Sequence, residues 1–245
     1  VLLFTHEDKS KYKPVDLYRK MFLLYDAIVV MNSNSYKLLE EYFLKYKSNK
    51  RPKIFINHFA AVTSEFVDQS INHKSNTSDL SLFKRNINLG FHCRPYKRKR
   101  PELLAEIMKY LPDFNLICCG EGLSSLVVFN DLINEKRVTF YNYNYSEIYK
   151  FYSQIDLLIC CSTFEGGPTP LVEANSYGIP FLSTDVGFAK EIATSNDKIV
   201  DINTSAKDIS LELLSISRNI NNKKKSSIKW SEITDLLYCQ LLNNL

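Results

Sequence analysis

Short apolar runs alternate with amphipathic stretches along most of this 245-residue chain. Continuous apolar runs at 1–5, 27–31, 53–56, 88–92, 115–119, 137–140, 157–161, 180–183 and 198–200 predict strands. Segments with an apolar residue every three or four positions, at 16–24, 35–46, 102–110, 146–152, 169–177 and 206–217, predict helices. Strands apolar on successive residues are covered on both faces, and strands that alternate with helices pair in parallel. The pattern therefore predicts an α/β protein whose parallel sheet carries helices on both sides. Such sheets bind ligands beyond the carboxyl ends of their strands, so the strand-to-helix loops are the places to look for chemistry.

The period disappears between 57 and 86, where the chain turns polar and irregular, most plainly at 70–79. Three predicted strands precede this stretch and six follow it, so a complete doubly wound unit is expected only after it. Near the end, Ile233, Leu236, Leu237 and Leu241 share one helical face, which predicts a final helix that packs on the rest of the molecule.

Composition narrows the class. Apolar residues make up 45% and charged residues 24%, as in a packed globular protein, which excludes disordered and collagen-like chains. There are only 7 glycines, where average usage would give roughly 17. They are Gly90, Gly120, Gly122, Gly166, Gly167, Gly178 and Gly187, all in the middle of the chain. The apolar stretch at 21–31 is interrupted by Asp26, and nothing approaches the ~20 apolar residues of a membrane-spanning helix. No secretory leader is visible. The chain opens on Val1 without a methionine, so a trimmed or partial polypeptide is expected.

The 6 cysteines are Cys93, Cys118, Cys119, Cys160, Cys161 and Cys239. The adjacent pairs close apolar runs and lack a C-x-x-C spacing, so they read as buried thiols in a reducing cytoplasm, not as metal ligands or disulfides. A net charge of +4 is mildly basic. The dense runs Lys97–Arg100 and Lys223–Lys225 are too small a footprint for nucleic acid, and none is expected as a partner.

Two strand-end segments carry candidate chemistry. In the first, a strand closes at Cys161, Gly166 and Gly167 let a ligand approach the backbone, and a helix opens near Thr169 with Pro168 and Pro170 at its entrance. A helix start presents free amides and the positive end of a dipole, which suits a phosphate. Glu165 lies in this loop and Glu173 about one turn into the helix. A carboxylate beside a phosphate site repels it unless it faces hydroxyls, and phosphate flanked by hydroxyl-bearing groups describes a nucleotide sugar. A helix-start acid stabilised by the dipole explains one glutamate, but not the Gly-Gly-Pro entrance. In the second segment, Arg94 and Lys99 follow the strand at 88–92. Two cations there suit a diphosphate and the charge that builds as it departs.

These residues resemble the retaining glycosyltransferases of the two-domain GT-B fold, known as glycosyltransferase group one or family four. The family's E-x7-E element is similar to Glu165 through Glu173, and its Arg-x4-Lys element to Arg94 and Lys99. The Gly120-Glu-Gly122 loop, Val138-Thr-Phe140 and the Trp230-Ser-Glu-Ile segment extend the likeness. It implies a complete Rossmann-like C-terminal donor-binding domain at 87–227 and a partial N-terminal Rossmann-like domain at 1–60. A linker at 61–86 joins them, and a helix at 228–245 crosses back to the N-terminal domain. It also implies that Glu165 contacts hydroxyls of the transferred sugar and that Glu173 binds the ribose. Gly166, Gly167, Pro168, Thr169, Pro170 and Leu171 surround sugar and phosphate, while Tyr143, Asn144 and Gly120 lie by the nucleotide. Arg94 and Lys99 hold the diphosphate, and His6 supports catalysis from an N-terminal strand end, where a histidine is as readily structural. The family commonly has glycine where Asn142 stands, and its members are usually longer at the N-terminal side.

The expected activity is transfer of a hexose-type sugar from a nucleoside diphosphate to a glycan, lipid or other acceptor, with retention of configuration. No metal and no cofactor are expected. A cytoplasmic place, with peripheral contact at the inner face of a membrane, fits a lipid-linked acceptor. A non-catalytic nucleotide-sugar-binding or partner subunit of a glycosylation complex is the alternative. A dinucleotide-dependent dehydrogenase is disfavoured, because Gly120-Glu-Gly122 lacks the third glycine of the G-x-G-x-x-G fingerprint.

Overall fold

The computed structural model describes residues 2–4, 24–45, 51–57, 86–218 and 220. The helix expected at 16–24, nearly all of the linker, His6 and the helix expected at 228–245 lie outside the described residues, apart from Leu24 at the edge of the first.

Two parallel sheets form. The smaller has the order β1 (Leu2–Phe4), β2 (Ala27–Val30), β3 (Lys53–Ile56), with helix α1 (Ser33–Lys45) between the last two strands. Every residue of β2 is buried. Ile28 and Val30 on one face of it meet Leu39 and Phe43 of α1, which stand four residues apart and so on one helical face.

The larger sheet has six strands: β4 (Ile87–His92), β5 (Phe114–Cys119), β6 (Val138–Tyr141), β7 (Leu157–Cys160), β8 (Phe181–Thr184) and β9 (Lys198–Val200). Their order is β6-β5-β4-β7-β8-β9, all parallel. Five helices matter here: α2 (Pro101–Lys109), α3 (Asn130–Asn134), α4 (Tyr149–Gln154), α5 (Thr169–Ser176) and α6 (Ala189–Ile192); α7 (Ala206–Ser217) closes the unit.

The alternation of side chains along each strand builds a core on each face. Leu116, Cys118, Leu157, Ile159 and Leu182 point to one side, against Leu104, Ile107 and Met108 of α2 and Ile209 and Leu213 of α7. Ile117, Cys119, Leu158 and Phe181 point to the other, against Phe151 and Tyr152 of α4 and Leu171 and Ala174 of α5. Both faces are buried, as the continuous apolar runs predicted.

Several boundaries move by a residue or two for local reasons. Helix α1 begins at Ser33, ahead of the expected 35, because Asn32 caps it. The Asn32 Oδ1 accepts from the Ser35 amide at 2.8 Å. The segment expected as helix from 146 opens with a 3-10 turn, Tyr145–Glu147, before α4. Helix α7 is capped by Ser205, a residue type that suits this position. Its hydroxyl oxygen accepts from the Asp208 amide at 3.1 Å while donating to the Asp208 carboxylate at 2.7 Å.

From β4 the chain winds outward through β5 to β6, then returns to place β7 on the other side of β4. The strand order reverses between β4 and β7. At that point the loops leaving the two strands diverge and open a crevice, the place where doubly wound sheets receive ligands. Among the described residues no helix is long and apolar enough to cross a membrane.

Candidate functional site

The loop after β4 and the loop after β7 form the two walls of the crevice. They are tied together by their backbones, the Thr163 amide donating to the Arg98 carbonyl at 2.8 Å. This bond brings Lys99 and Glu165 to each other. Lys99 Nζ donates to Glu165 Oε1, and the Ser162 hydroxyl donates to the same oxygen at 2.7 Å. Arg98 approaches the other oxygen at 3.8 Å from an exposed position. Glu165 is only 6% exposed. A charge so buried needs partners, and these supply them. Ser162 is in turn fixed from below, since its carbonyl accepts from Thr184 Oγ1 at 2.6 Å.

Glu173, 3% exposed, sits in the first turns of α5. Its Oε2 accepts from the Tyr152 hydroxyl at 2.5 Å and lies 3.5 Å from His92 Nδ1. The same histidine nitrogen is 3.0 Å from the Tyr152 hydroxyl. Burial pushes the Tyr152 phenol well above its usual range, and the neighbouring Glu173 carboxylate adds to the shift. Tyr152 therefore remains a donor. Helix α5 has Pro170 in its first turn and no side-chain cap. The Leu171 amide turns back to the Pro168 carbonyl at 2.9 Å and that of Thr169 to Gly167 at 2.9 Å.

The remaining predicted residues fall on the same strand-end edge with different surroundings. Arg94 is exposed and hydrogen-bonds the Tyr96 side chain, which raises its pKa further; it does not join the Lys99–Glu165 pair. Tyr143 stacks on Tyr141 with ring centres 5.0 Å apart, and Asn144 is exposed at the start of the following turn. Gly120 has a positive φ, and a Cβ there would collide with the Cys93 carbonyl oxygen, so the loop after β5 needs glycine to pass. Cys118, Cys119 and Cys161 are buried and Cys93 and Cys160 half-buried, all as free thiols. Burial drives the Cys93 thiol up to about 12, and a thiol raised this far is inert. Among the described residues no group of three or more His, Cys, Asp or Glu gathers in a way that could hold a metal ion.

Sequence reasoning missed Ser162, His92, Tyr152 and Asn32. Ser162 opens the motif segment and His92 closes a strand beside Arg94, so position alone could have flagged both. Tyr152 lies on the apolar face of an amphipathic helix and carries no local sign of a polar partner.

A six-stranded parallel order that reverses at a crevice is the doubly wound arrangement of a nucleotide-binding domain, and it matches the Rossmann-like domain of GT-B-like folds. A family model described as glycosyl transferases group 1 matches residues 79–230, and the chain belongs to that family. Two Escherichia coli relatives, the O-antigen biosynthesis glycosyltransferase WbnH and the probable O-antigen biosynthesis glycosyltransferase WbiN, are each 33% identical over 140 residues. Each match covers 54% of this chain and 38% of the relative, so the matched region is well under half the length of either relative. Among solved structures, the sucrose-phosphate synthase of Thermosynechococcus elongatus superposes with a TM-score of 0.67 at 16% identity, over 99% of this chain and 68% of that one. HepE of Anabaena in complex with UDP and glucose gives 0.65 at 15% identity, over 100% and 71%. At these identities the likeness is one of fold.

Proposed function

We propose that the crevice binds a nucleoside-diphosphate sugar and that the protein transfers a hexose-type sugar to a glycan or lipid-linked acceptor with retention of configuration. The observation that carries this reading is the placement of Glu165 at the reversal of strand order, held by Lys99 from the opposite loop. A buried carboxylate that already balances a cation can face sugar hydroxyls without repelling the adjacent phosphates. Glu165 thus takes the hydroxyls of the transferred sugar. Glu173, with one oxygen occupied by Tyr152, offers the other to the ribose. The amides of Gly166 and Gly167, free among the described residues, meet the sugar and phosphate, those of Thr169 and Leu171 being taken by the turn itself, and Tyr143, Asn144 and Gly120 border the nucleotide.

In the transfer step an acceptor hydroxyl oxygen bonds to the anomeric carbon as the bond from that carbon to the diphosphate oxygen breaks. Arg94 and Lys99 take up the negative charge on the leaving group, with no metal required. The acceptor proton passes to the departing phosphate, which stands on the face from which the acceptor enters, so configuration is retained. His6 is the proposed contribution of the N-terminal strand end. The names of the E. coli relatives support an acceptor in O-antigen biosynthesis, and the ligands of HepE make uridine the first base to try.

The test is a thermal-shift panel of uridine, guanosine and adenosine diphosphate sugars on the intact protein, followed by NMR of the product anomer. One base should raise the melting temperature selectively, since a ligand that binds only the folded state stabilises it by mass action. A stabilising sugar nucleotide with no transfer would favour the non-catalytic subunit. No shift with any donor overturns the reading, and an inverted product overturns retention.

A further inference from the structure

The Gly166–Gly167 segment is gripped by the smaller sheet. Asn32, immediately beyond β2, is 0% exposed, and its side chain bonds in two directions. Its Oδ1 accepts from the Ser35 amide at 2.8 Å, capping α1, and its Nδ2 donates to the Gly166 carbonyl at 2.9 Å. The next residue along repeats the connection, the Ser33 amide donating to Glu191 Oε1 at 2.9 Å. On the other side, Met31 packs with Val172, Phe188 and Ile192. A Cβ on Gly167 would collide with the Phe188 ring and stand 2.6 Å from Met31 Cε, so the glycine lies in a slot between the two sheets.

The peptide joining Gly166 to Gly167 is trans, and in a trans peptide the C=O and N–H point in opposite directions. With the Gly166 carbonyl turned onto Asn32, the Gly167 N–H is turned away from it. Neither the Gly166 nor the Gly167 amide donates to another group among the described residues. One buried side chain thereby fixes the direction of a free backbone donor in the loop that carries Glu165.

We propose that Asn32 is a positioning residue: through the Gly166 carbonyl it sets the Gly167 amide for the donor's sugar-phosphate, so donor affinity depends on contact between the two sheets. This rests on the reading that the loop receives a nucleotide sugar. The alternative role, capping α1, uses a different atom of the same side chain, and substitution separates the two. Serine and aspartate cap helices about as well as asparagine, but neither can donate to the Gly166 carbonyl as the amide does. The serine hydroxyl, though a donor, is too short to reach that carbonyl; aspartate has the reach but only acceptor oxygens when ionised.

Asn32→Ser and Asn32→Asp in the intact protein should speed amide hydrogen exchange across 164–168 without changing 36–45. Both should also weaken the stabilising sugar nucleotide by about fivefold to tenfold, as loss of one hydrogen-bond-directed contact implies. Unchanged exchange in 164–168, or faster exchange with unchanged affinity, overturns the proposal. So does equal loosening of 36–45, which would mean that the substitutions disturb the helix as a whole, whereas a cap alone predicts no change from either variant. Should the unaltered protein bind no nucleotide sugar, the functional reading falls and the donor half of this proposal falls with it. The exchange measurement, made without ligand, still decides whether Asn32 sets the loop.

Discussion

Glu165 and Glu173 are the two ends of one short motif, both buried, and their surroundings differ in kind. Glu165 lies in a loop and is neutralised by a cation from another loop, with Ser162 and the exposed Arg98 as helpers. Glu173 lies in a helix and takes a hydrogen bond from the neutral Tyr152 hydroxyl, with the His92 ring nitrogen 3.5 Å away. A buried ion pair is costly to break on one side only, because the remaining charge stays desolvated. Removing a neutral donor from a buried carboxylate costs one hydrogen bond and leaves no charge balance broken. The two ends of the motif are therefore expected to respond differently to removal of their neighbours: one through charge balance across the crevice, the other through local geometry.

The largest expected effect comes from Glu165 itself. Glu165→Ala should lower kcat/KM for sugar transfer by on the order of 10²- to 10³-fold, comparable to loss of one transition-state contact elsewhere. Steady-state kinetics with whichever sugar nucleotide the thermal-shift panel selects checks it, and normal turnover would remove Glu165 from the site. Next, Lys99→Met should cost on the order of 3 kcal/mol of folding stability, measured by urea titration, because Glu165 keeps its burial and loses its main counter-charge. Adding Glu165→Gln to this variant should recover much of that loss; failure to recover would mean that the pair is not what holds the loops together.

Tyr152→Phe tests the other end. It should destabilise by about 1–3 kcal/mol, the cost of leaving a buried acceptor short of one bond. The KM for the nucleotide should rise more than kcat falls, since Glu173 is assigned to the ribose. If Tyr152→Phe instead reproduced the Lys99→Met pattern, the contrast between the two glutamates would collapse. The smallest effect is expected from Arg98→Ala, a change in stability within about 0.5 kcal/mol, because an exposed ion pair adds little. Its guanidinium stands 3.8 Å from the Glu165 carboxylate, beyond hydrogen-bond reach. A loss as large as that from Lys99 would make the clamp a three-residue unit.

The parallel sheets and both cores were legible in the chain, because a strand covered on two faces must be apolar at successive positions and a helix must repeat every three or four. Runs such as 157–160 and 181–184 allow little else. The strand-end loops were legible too, from glycines and prolines that only particular backbone paths require. Helix starts were less so: α1 opens where Asn32 caps it, and a capping residue looks like any polar residue until its helix exists.

Periodicity and residue types at fixed spacing were enough to settle the class of fold and to single out two strand-end loops and both glutamates as candidates. Which groups meet is a matter of three dimensions. Lys99 reaches Glu165 across 66 positions and Asn32 reaches Gly166 across 134. Arg94, equally basic and similarly placed along the chain, turns to Tyr96 instead. Such pairings depend on strand order, which reverses between β4 and β7 and brings distant loops side by side. No local pattern records that reversal, because it is settled by how the helices cover the two faces of the sheet.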